Sequence, residues 1–332
     1  MQRVLVTGGA GFIGSHLTDA LLARGDAVTV IDDLSTGSRA NLSAAAANER
    51  LTFLWGTIAD EALVRRAIDA ADVVFHLAAA VGVELIASDP IRTIETNIGP
   101  TALLLDVLRD VYAAGRRVPL FLASTSEVYG KNPKPRWTEE DDLVLGPTSR
   151  PRWAYGASKA IDEFLALAHH RQYGLEVVIG RFFNVVGPRQ TGRYGMVVPR
   201  FVEAALAGGP LVVHDDGRQT RCFAHVDDVV QTVLELMTHS AALGSVFNIG
   251  SDEPVAILDL AQRVIAKVDP ALRIEFRSYA EAYHSEDFED VRSRVPDLSR
   301  LRSIVRYRPR STLDEVIDQV IAAQRGQRAA GG

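Results

Sequence analysis

Arg3-Val4-Leu5-Val6-Thr7-Gly8-Gly9-Ala10-Gly11-Phe12-Ile13-Gly14 is the stretch that decides the fold. It opens on a short apolar run of buried-strand length, and its glycines at 8, 11 and 14 make a G-x-x-G-x-x-G spacing. Glycine is needed where a strand turns tightly into a helix and where a pyrophosphate must approach the helix N-terminus with no Cβ in its path. Three glycines alone are also compatible with a turn that binds nothing. The surroundings favour the ligand. A helical pattern runs from 14 to 24, and the next apolar run, 27–31, ends on Asp32, 18 positions after Gly14. A carboxylate there accepts hydrogen bonds from adenosine ribose hydroxyls and repels a 2′-phosphate, so the expected cofactor is NAD rather than NADP. Asp33 reads either as a second cofactor contact or as a solvated loop residue.

Outward from this unit, apolar runs at 51–54, 73–75, 119–122 and 175–179 alternate with helical patterns at 61–69, 97–114 and 155–173. Runs apolar at every position suit strands covered on both faces, and the alternation predicts an α/β fold, a Rossmann-type doubly wound parallel sheet. Past Gly187 the chain becomes loop-rich, with helical patterns at 196–207, 227–237 and 258–268. The expected organisation is an NAD-binding domain over 1–186, carrying the 155–173 helix. A smaller α/β substrate lobe follows over 187–325, with late returns to the first domain, and 326–332 is a frayed tail.

Composition removes several classes of function. The 332 residues are 47% hydrophobic and 23% charged, which excludes disorder as the main theme. Thirty-six basic against 42 acidic side chains leave a net charge of −6, a poor match to a nucleic-acid backbone. No apolar run reaches the roughly 18–20 residues of a membrane span. The single cysteine, Cys222, suits a reducing compartment. The first strand starts beside Met1, so the expectation is a chain without a secretory leader, in the cytoplasm.

The chemistry is written in two places. Tyr155 and Lys159 stand four apart, on one face of a helix, where an ammonium beside a phenol favours the phenolate and readies it as a base. Upstream, Ser124-Thr125-Ser126-Glu127 ends a strand, the edge at which α/β sheets place their sites. Separately, each is equally compatible with a surface pair and an ordinary polar turn; their convergence with the glycine loop favours a site.

These residues together resemble the extended short-chain dehydrogenase/reductases of the nucleotide-sugar epimerase/dehydratase type. The pieces are residues 7–14, Asp32, His76-Leu77-Ala78-Ala79, Asn97, Ser124 to Gly130, Tyr155 with Lys159, Arg181-Phe182-Phe183-Asn184, Gly187-Pro188-Arg189 and Arg221. The resemblance implies NAD held by Gly8, Gly11, Phe12, Ile13, Gly14, Asp32, Asp33, Thr57, Ile58, Leu77, Ala78, Ala79, Asn97, Tyr155 and Lys159. It implies a UDP-sugar held by Ser126, Asn184, Arg189, Val198, Arg221 and Arg294, and oxidation at sugar C4 with Thr125 and Tyr155 on the C4 hydroxyl. Thr57 replaces the aspartate common after the third strand, which implies a weaker adenine contact. A homodimer through the 97–114 and 155–173 helices is also implied, using Leu103, Leu104, Leu108, Phe164 and Leu165.

Within the family, Thr125-Ser126-Glu127 matches the triplet of UDP-glucuronate decarboxylases. Residues 288–297 resemble the segment from which those enzymes supply an active-site arginine, here Arg294. The 143–147 stretch and Arg152-Trp153 resemble the same group. Oxidising C4 turns a C6 carboxylate into a β-keto acid. The site must then hold that carboxylate, stabilise an enolate and protonate C5, tasks suited to Arg294 and Glu127. The expectation is therefore a UDP-glucuronate decarboxylase forming UDP-xylose or its 4-keto form. The alternatives are a UDP-sugar 4-epimerase and, more distantly, a non-enzymatic NAD-binding regulator.

Overall fold

The computed structural model describes every residue except 81–88, 193–194, 280, 282–289 and 332. Six strands, β1 (Arg3–Thr7), β2 (Ala27–Asp32), β3 (Leu51–Trp55), β4 (Val73–His76), β5 (Leu120–Thr125) and β6 (Val177–Phe182), lie parallel in the order 3-2-1-4-5-6. Strand β8 (Ser245–Ile249) returns from the second half of the chain to extend the β6 edge. The order reverses between β1 and β4, which opens a crevice at the carboxyl ends of those strands.

Alternate side chains explain the continuous apolar runs. Val4 and Val6 face one layer, with Leu17 and Leu21 of α1 (Phe12–Ala23) and Val229 and Val233 of α6 (Val226–Leu236). Leu5 faces the other, with Val64 and Ile68 of α2 (Glu61–Asp69) and Leu104, Leu105 and Leu108 of α3 (Pro90–Ala113). Helix α4 (Ala154–Tyr173) completes that second layer. In β4 every residue is thus buried whichever way it points, whereas β3, at the sheet edge, stays partly exposed.

Two boundaries differ from the sequence expectation for physical reasons. Helix α3 starts at Pro90, not 97, because Asp89 caps it (Oδ1 accepts from the Arg92 N–H, 3.0 Å) and proline fits the first turn. Strand β6 runs on through Arg181, whose charge reads as a strand end; Glu163 neutralises it with a buried fork at 2.7 and 3.0 Å.

A further core lies in the second half of the chain. Val198 and Phe201 of α5 (Val197–Leu206) pack with Leu260 and Val264 of α7 (Ile257–Val268) and with Val316, Ile317, Val320 and Ile321 of α9 (Leu313–Gly331). The expected frayed tail from 326 is instead the last part of α9. It is held by Gln324 Nε2 on the Pro199 carbonyl (2.9 Å) and by Arg328 Nη2 on that of Glu203 (3.1 Å). Strand β7 (Thr220–Cys222) pairs with β9 (Ser293–Arg294) so that Arg221 and Arg294 are register partners. Leu104 and Leu108, expected on a subunit face, are fully buried against the sheet. The exposed large hydrophobic residues on the described parts of α3 and α4 are Ile91, Ile94, Ile161, Phe164 and Tyr173. Among the described residues, no helix is long and apolar enough to cross a membrane.

Candidate active site

The glycine loop lies in the crevice. Gly8 has φ +72°, and a Cβ there would come within 2.7 Å of the Ala78 nitrogen; one on Gly14 would fall 2.1 Å from the Gly8 carbonyl oxygen. Only glycine allows this closeness, and it leaves Gly11, Phe12 and Ile13 at the mouth of α1, as a bound pyrophosphate requires. Asp32 is buried beneath: Oδ2 accepts from the Ala10 N–H (2.9 Å) and Oδ1 from that of Leu34 (2.8 Å). Burial raises its pKa, with these two bonds opposing the shift. Asp33 is exposed and accepts from the Ser35 N–H (2.9 Å), the arrangement of a loop residue.

Leu77, Ala78 and Ala79 follow β4. Thr7 fixes the first two, its carbonyl taking the Leu77 N–H (3.1 Å) and its Oγ1 that of Ala78 (3.3 Å). Buried Asn97 clamps the end of this loop: Oδ1 accepts from the Ala80 N–H (2.8 Å) and Nδ2 donates to Ser158 Oγ (3.1 Å). Its amide therefore ties the loop to α4. Thr57 Oγ1 accepts from the Ala59 N–H (3.2 Å), capping the local turn, while Ile58 is buried. A groove of about 390 Å³ runs beside Thr57, between Ala59 and Thr96, Gly99 and Leu103 of α3. These residues fit NAD. Asp32→Ala is expected to weaken NAD binding and to relax the discrimination against NADP. Titration of each protein with both cofactors checks this, and a wild-type protein that prefers NADP contradicts it.

Thr125, at the end of β5, stands beside Tyr155, whose pKa its hydroxyl lowers, and accepts from the Glu127 N–H through Oγ1 (3.2 Å). Gly156 lets α4 press on this turn, since a Cβ would lie 2.5 Å from the Glu127 carbonyl oxygen. Lys159 departs from expectation. Its ammonium is bonded to Asp162 Oδ2 at 2.8 Å, both side chains almost wholly buried, and Tyr155 is not stabilised as phenolate. Burial first, then the Glu127 charge, push the phenol well above its ordinary value. A fixed carboxylate one turn along the same face attracts the ammonium more strongly than a neutral phenol does. Asp162 was not singled out in the sequence, although its place three residues after Lys159 was visible. Behind it, Thr7 Oγ1 meets His76 Nδ1 (2.7 Å) and His76 Nε2 meets Thr101 Oγ1 (3.1 Å). Burial and Lys159 lower the imidazole pKa to about 3, so the ring is neutral.

Glu127 and Arg294 do meet, across 167 positions of sequence. Glu127 Oε1 takes Arg294 Nη1, and Oε2 takes Arg152 Nη1 at 2.5 Å. Burial opposes the charge, but the two guanidinium groups outweigh it and hold the carboxyl far below the usual carboxylate range. Asp290 extends the cluster, pairing with Arg294 Nη2 (3.3 Å) and Arg221 Nη2 (2.8 Å) and accepting from the Tyr279 hydroxyl (2.6 Å). Among the described residues, the buried guanidinium groups of Arg152, Arg221 and Arg294 thus face the carboxylates of Glu127 and Asp290. Arg152, Asp290 and Tyr279 were missed as site residues. Arg152 stands three before Tyr155 and Asp290 four before Arg294, spacings that carried a signal; Tyr279 had none. Phe288 and Glu289, part of the motif around Arg294, lie outside the described residues.

The remaining expected substrate contacts divide. Ser126 is buried under the turn. Asn184 has φ +32° and spends Nδ2 on the Cys222 carbonyl (3.0 Å), beside Arg221. Val198 lies in the core of the second half of the chain, so only its main chain is left to meet a ligand. Arg189 turns away from the cluster to Asp19 of α1 (2.6 Å), where it joins the two halves of the chain; a nearby carboxylate on a preformed helix draws it there.

Comparison with known proteins gives the family. Residues 4–250 match the model of the NAD dependent epimerase/dehydratase family. The UDP-N-acetyl-alpha-D-glucosaminuronate decarboxylase of Bacillus cytotoxicus is 36% identical over 321 residues, 96% of this chain and 97% of that protein. UDP-glucuronic acid decarboxylase 1 of Arabidopsis thaliana is 33% identical over 320 residues, 96% of this chain and 69% of its own. The UDP-glucuronic acid 4-epimerase from Bacillus cereus, solved with UDP-glucuronic acid and NAD, superposes with a TM-score of 0.87 at 27% identity, over 98% of this chain and 99% of that one. A parallel sheet with the glycine loop at its switch point, Thr125 and Tyr155 in contact, and a family match across most of the chain lead to one conclusion: the chain belongs to the NAD dependent epimerase/dehydratase family.

Proposed function

We propose that this protein is a decarboxylase of UDP-linked hexuronates, acting first on UDP-glucuronate and forming UDP-xylose or its 4-keto precursor. The observation that carries this reading is Glu127 held between Arg152 and Arg294 next to Thr125 and Tyr155. An enzyme that only inverts C4 of a neutral hexose has no use for two buried guanidinium groups on one carboxylate at that place. One that must bind a carboxylate and then stabilise an enolate has. The names of the B. cytotoxicus and A. thaliana relatives support the same chemistry.

Tyr155 takes the C4 hydroxyl proton while Thr125 holds the oxygen. NAD, when bound, supplies the oxidant that accepts the C4 hydrogen with its electron pair and can return it. Arg294 holds the C6 carboxylate. With C4 a carbonyl, the C5–C6 bond breaks, its electrons pass into an enolate, and CO2 leaves. Glu127, kept ionised, orients the water that protonates C5. Asn184 and Arg221 face the diphosphate. C2 takes no part, so UDP-glucuronate and its 2-acetamido counterpart are both chemically competent substrates. A homodimer through α3 and α4 is supported by the exposed Ile161 and Phe164, and a cytoplasmic location by the lone, buried Cys222.

The test is incubation with NAD and, separately, UDP-glucuronate, its 2-acetamido analogue and UDP-glucose, with products identified by mass and NMR. Loss of one carbon from a hexuronate is the expected result. Interconversion at C4 with no change in carbon count overturns the decarboxylase reading in favour of a 4-epimerase.

A further inference from the structure

Arg294 is shared in this structure between two carboxylates, Glu127 Oε1 and Asp290 Oδ1. A substrate carboxylate arriving at Arg294 would be the third anion around one guanidinium. If Arg294 turned to it, Glu127 would need another counter-ion or would have to take up a proton, because a buried lone carboxylate is strongly disfavoured. The structure holds such a counter-ion on the opposite side. Arg152, 6% exposed, engages the other oxygen, Oε2, at 2.5 Å. Its guanidinium carbon lies 5.6 Å from the ring centre of Trp153, itself almost fully buried, at the entry to α4. Arg294 sits on the two-residue strand β9, where its other nitrogen, Nη2, already reaches a second carboxylate, Asp290 Oδ1, at 3.3 Å.

We propose that Arg152 is a specificity-determining positioning residue. It retains Glu127 by Oε2, so that Arg294 can release Oε1 and transfer to the C6 carboxylate of the substrate. This rests on the decarboxylase reading. In the resting site Glu127 stands in for the substrate's carboxylate on Arg294, and the exchange costs little only while a second guanidinium remains on Glu127. When CO2 leaves, Arg294 loses its anion and returns. Without Arg152, Glu127 depends on Arg294 alone and competes with every hexuronate for it. A neutral UDP-hexose, which makes no claim on Arg294, is unaffected.

Binding of UDP-glucuronate and of UDP-glucose is measured by calorimetry on NAD-loaded wild type, Arg152→Met, Arg152→Lys and the double variant Arg152→Met/Glu127→Gln, with thermal unfolding checked for each. Arg152→Met should weaken UDP-glucuronate about tenfold or more and leave UDP-glucose within about twofold. Arg152→Lys should recover most of the loss, since one ammonium can hold Oε2. The double variant should bind UDP-glucuronate nearly as wild type does, because an uncharged amide in place of the Glu127 carboxylate no longer competes for Arg294. Equal weakening of both ligands, no weakening of either, or a double variant no better than Arg152→Met overturns the proposal. If Arg152→Met does not fold, failure of Arg152→Lys to hold UDP-glucuronate better than UDP-glucose, relative to a fully selective wild type, overturns it instead. A wild type that binds UDP-glucuronate but releases no CO2 sinks the decarboxylase reading separately, as the binding arms do not depend on turnover.

Discussion

Tyr155→Phe should give a folded, NAD-binding protein in which C4 oxidation has fallen by about 10²–10⁴-fold, the range for loss of a positioned acid–base group. The ring remains in place, and only the hydroxyl beside Thr125 is removed. Burial and the Glu127 charge hold this phenol above its ordinary value, and Lys159 is bonded to Asp162 rather than standing by as its cation. The neutral phenol is therefore the resting form. A base with a raised pKa gains its active form as pH rises, so the oxidation half-reaction should accelerate toward alkaline pH in wild type and lose that dependence in Tyr155→Phe. Absorbance of the reduced cofactor in a single turnover reads both. Turnover within a few-fold of wild type would mean that another group is the base.

Glu127→Gln and Arg294→Ala should suppress CO2 release by about 10²-fold or more, the scale for losing a charge-stabilising group at a reacting centre, and reduce cofactor reduction far less. In the proposed reaction both side chains act at C5 and C6, not at C4. Breaking a buried pair ordinarily costs about 3–5 kcal/mol because it strands a charge. Here Arg294→Ala strands none, since Glu127 keeps Arg152 and Asp290 keeps Arg221. The loss should therefore appear in product analysis while the thermal midpoint stays close to wild type. Parallel loss of both half-reactions would place these residues in general substrate binding instead.

The sequence alone carried what short-range physics encodes. Apolar runs and glycine spacing located β1, β2 and the loop between them, because a strand buried on both faces and a Cβ-free turn each leave a local signature. Helical spacing put Tyr155 and Lys159 on one face, and family resemblance named Glu127 and Arg294 as partners. Tertiary structure alone decided where the charges went. Lys159 chose Asp162 over Tyr155, Arg189 chose Asp19 170 positions away, and Glu127 took Arg152 as well as Arg294. Each choice depends on which opposite charge is buried beside it once the sheet has closed. Water weakens every such attraction in the unfolded chain, and only the folded interior, with its low dielectric, makes one partner outweigh the rest.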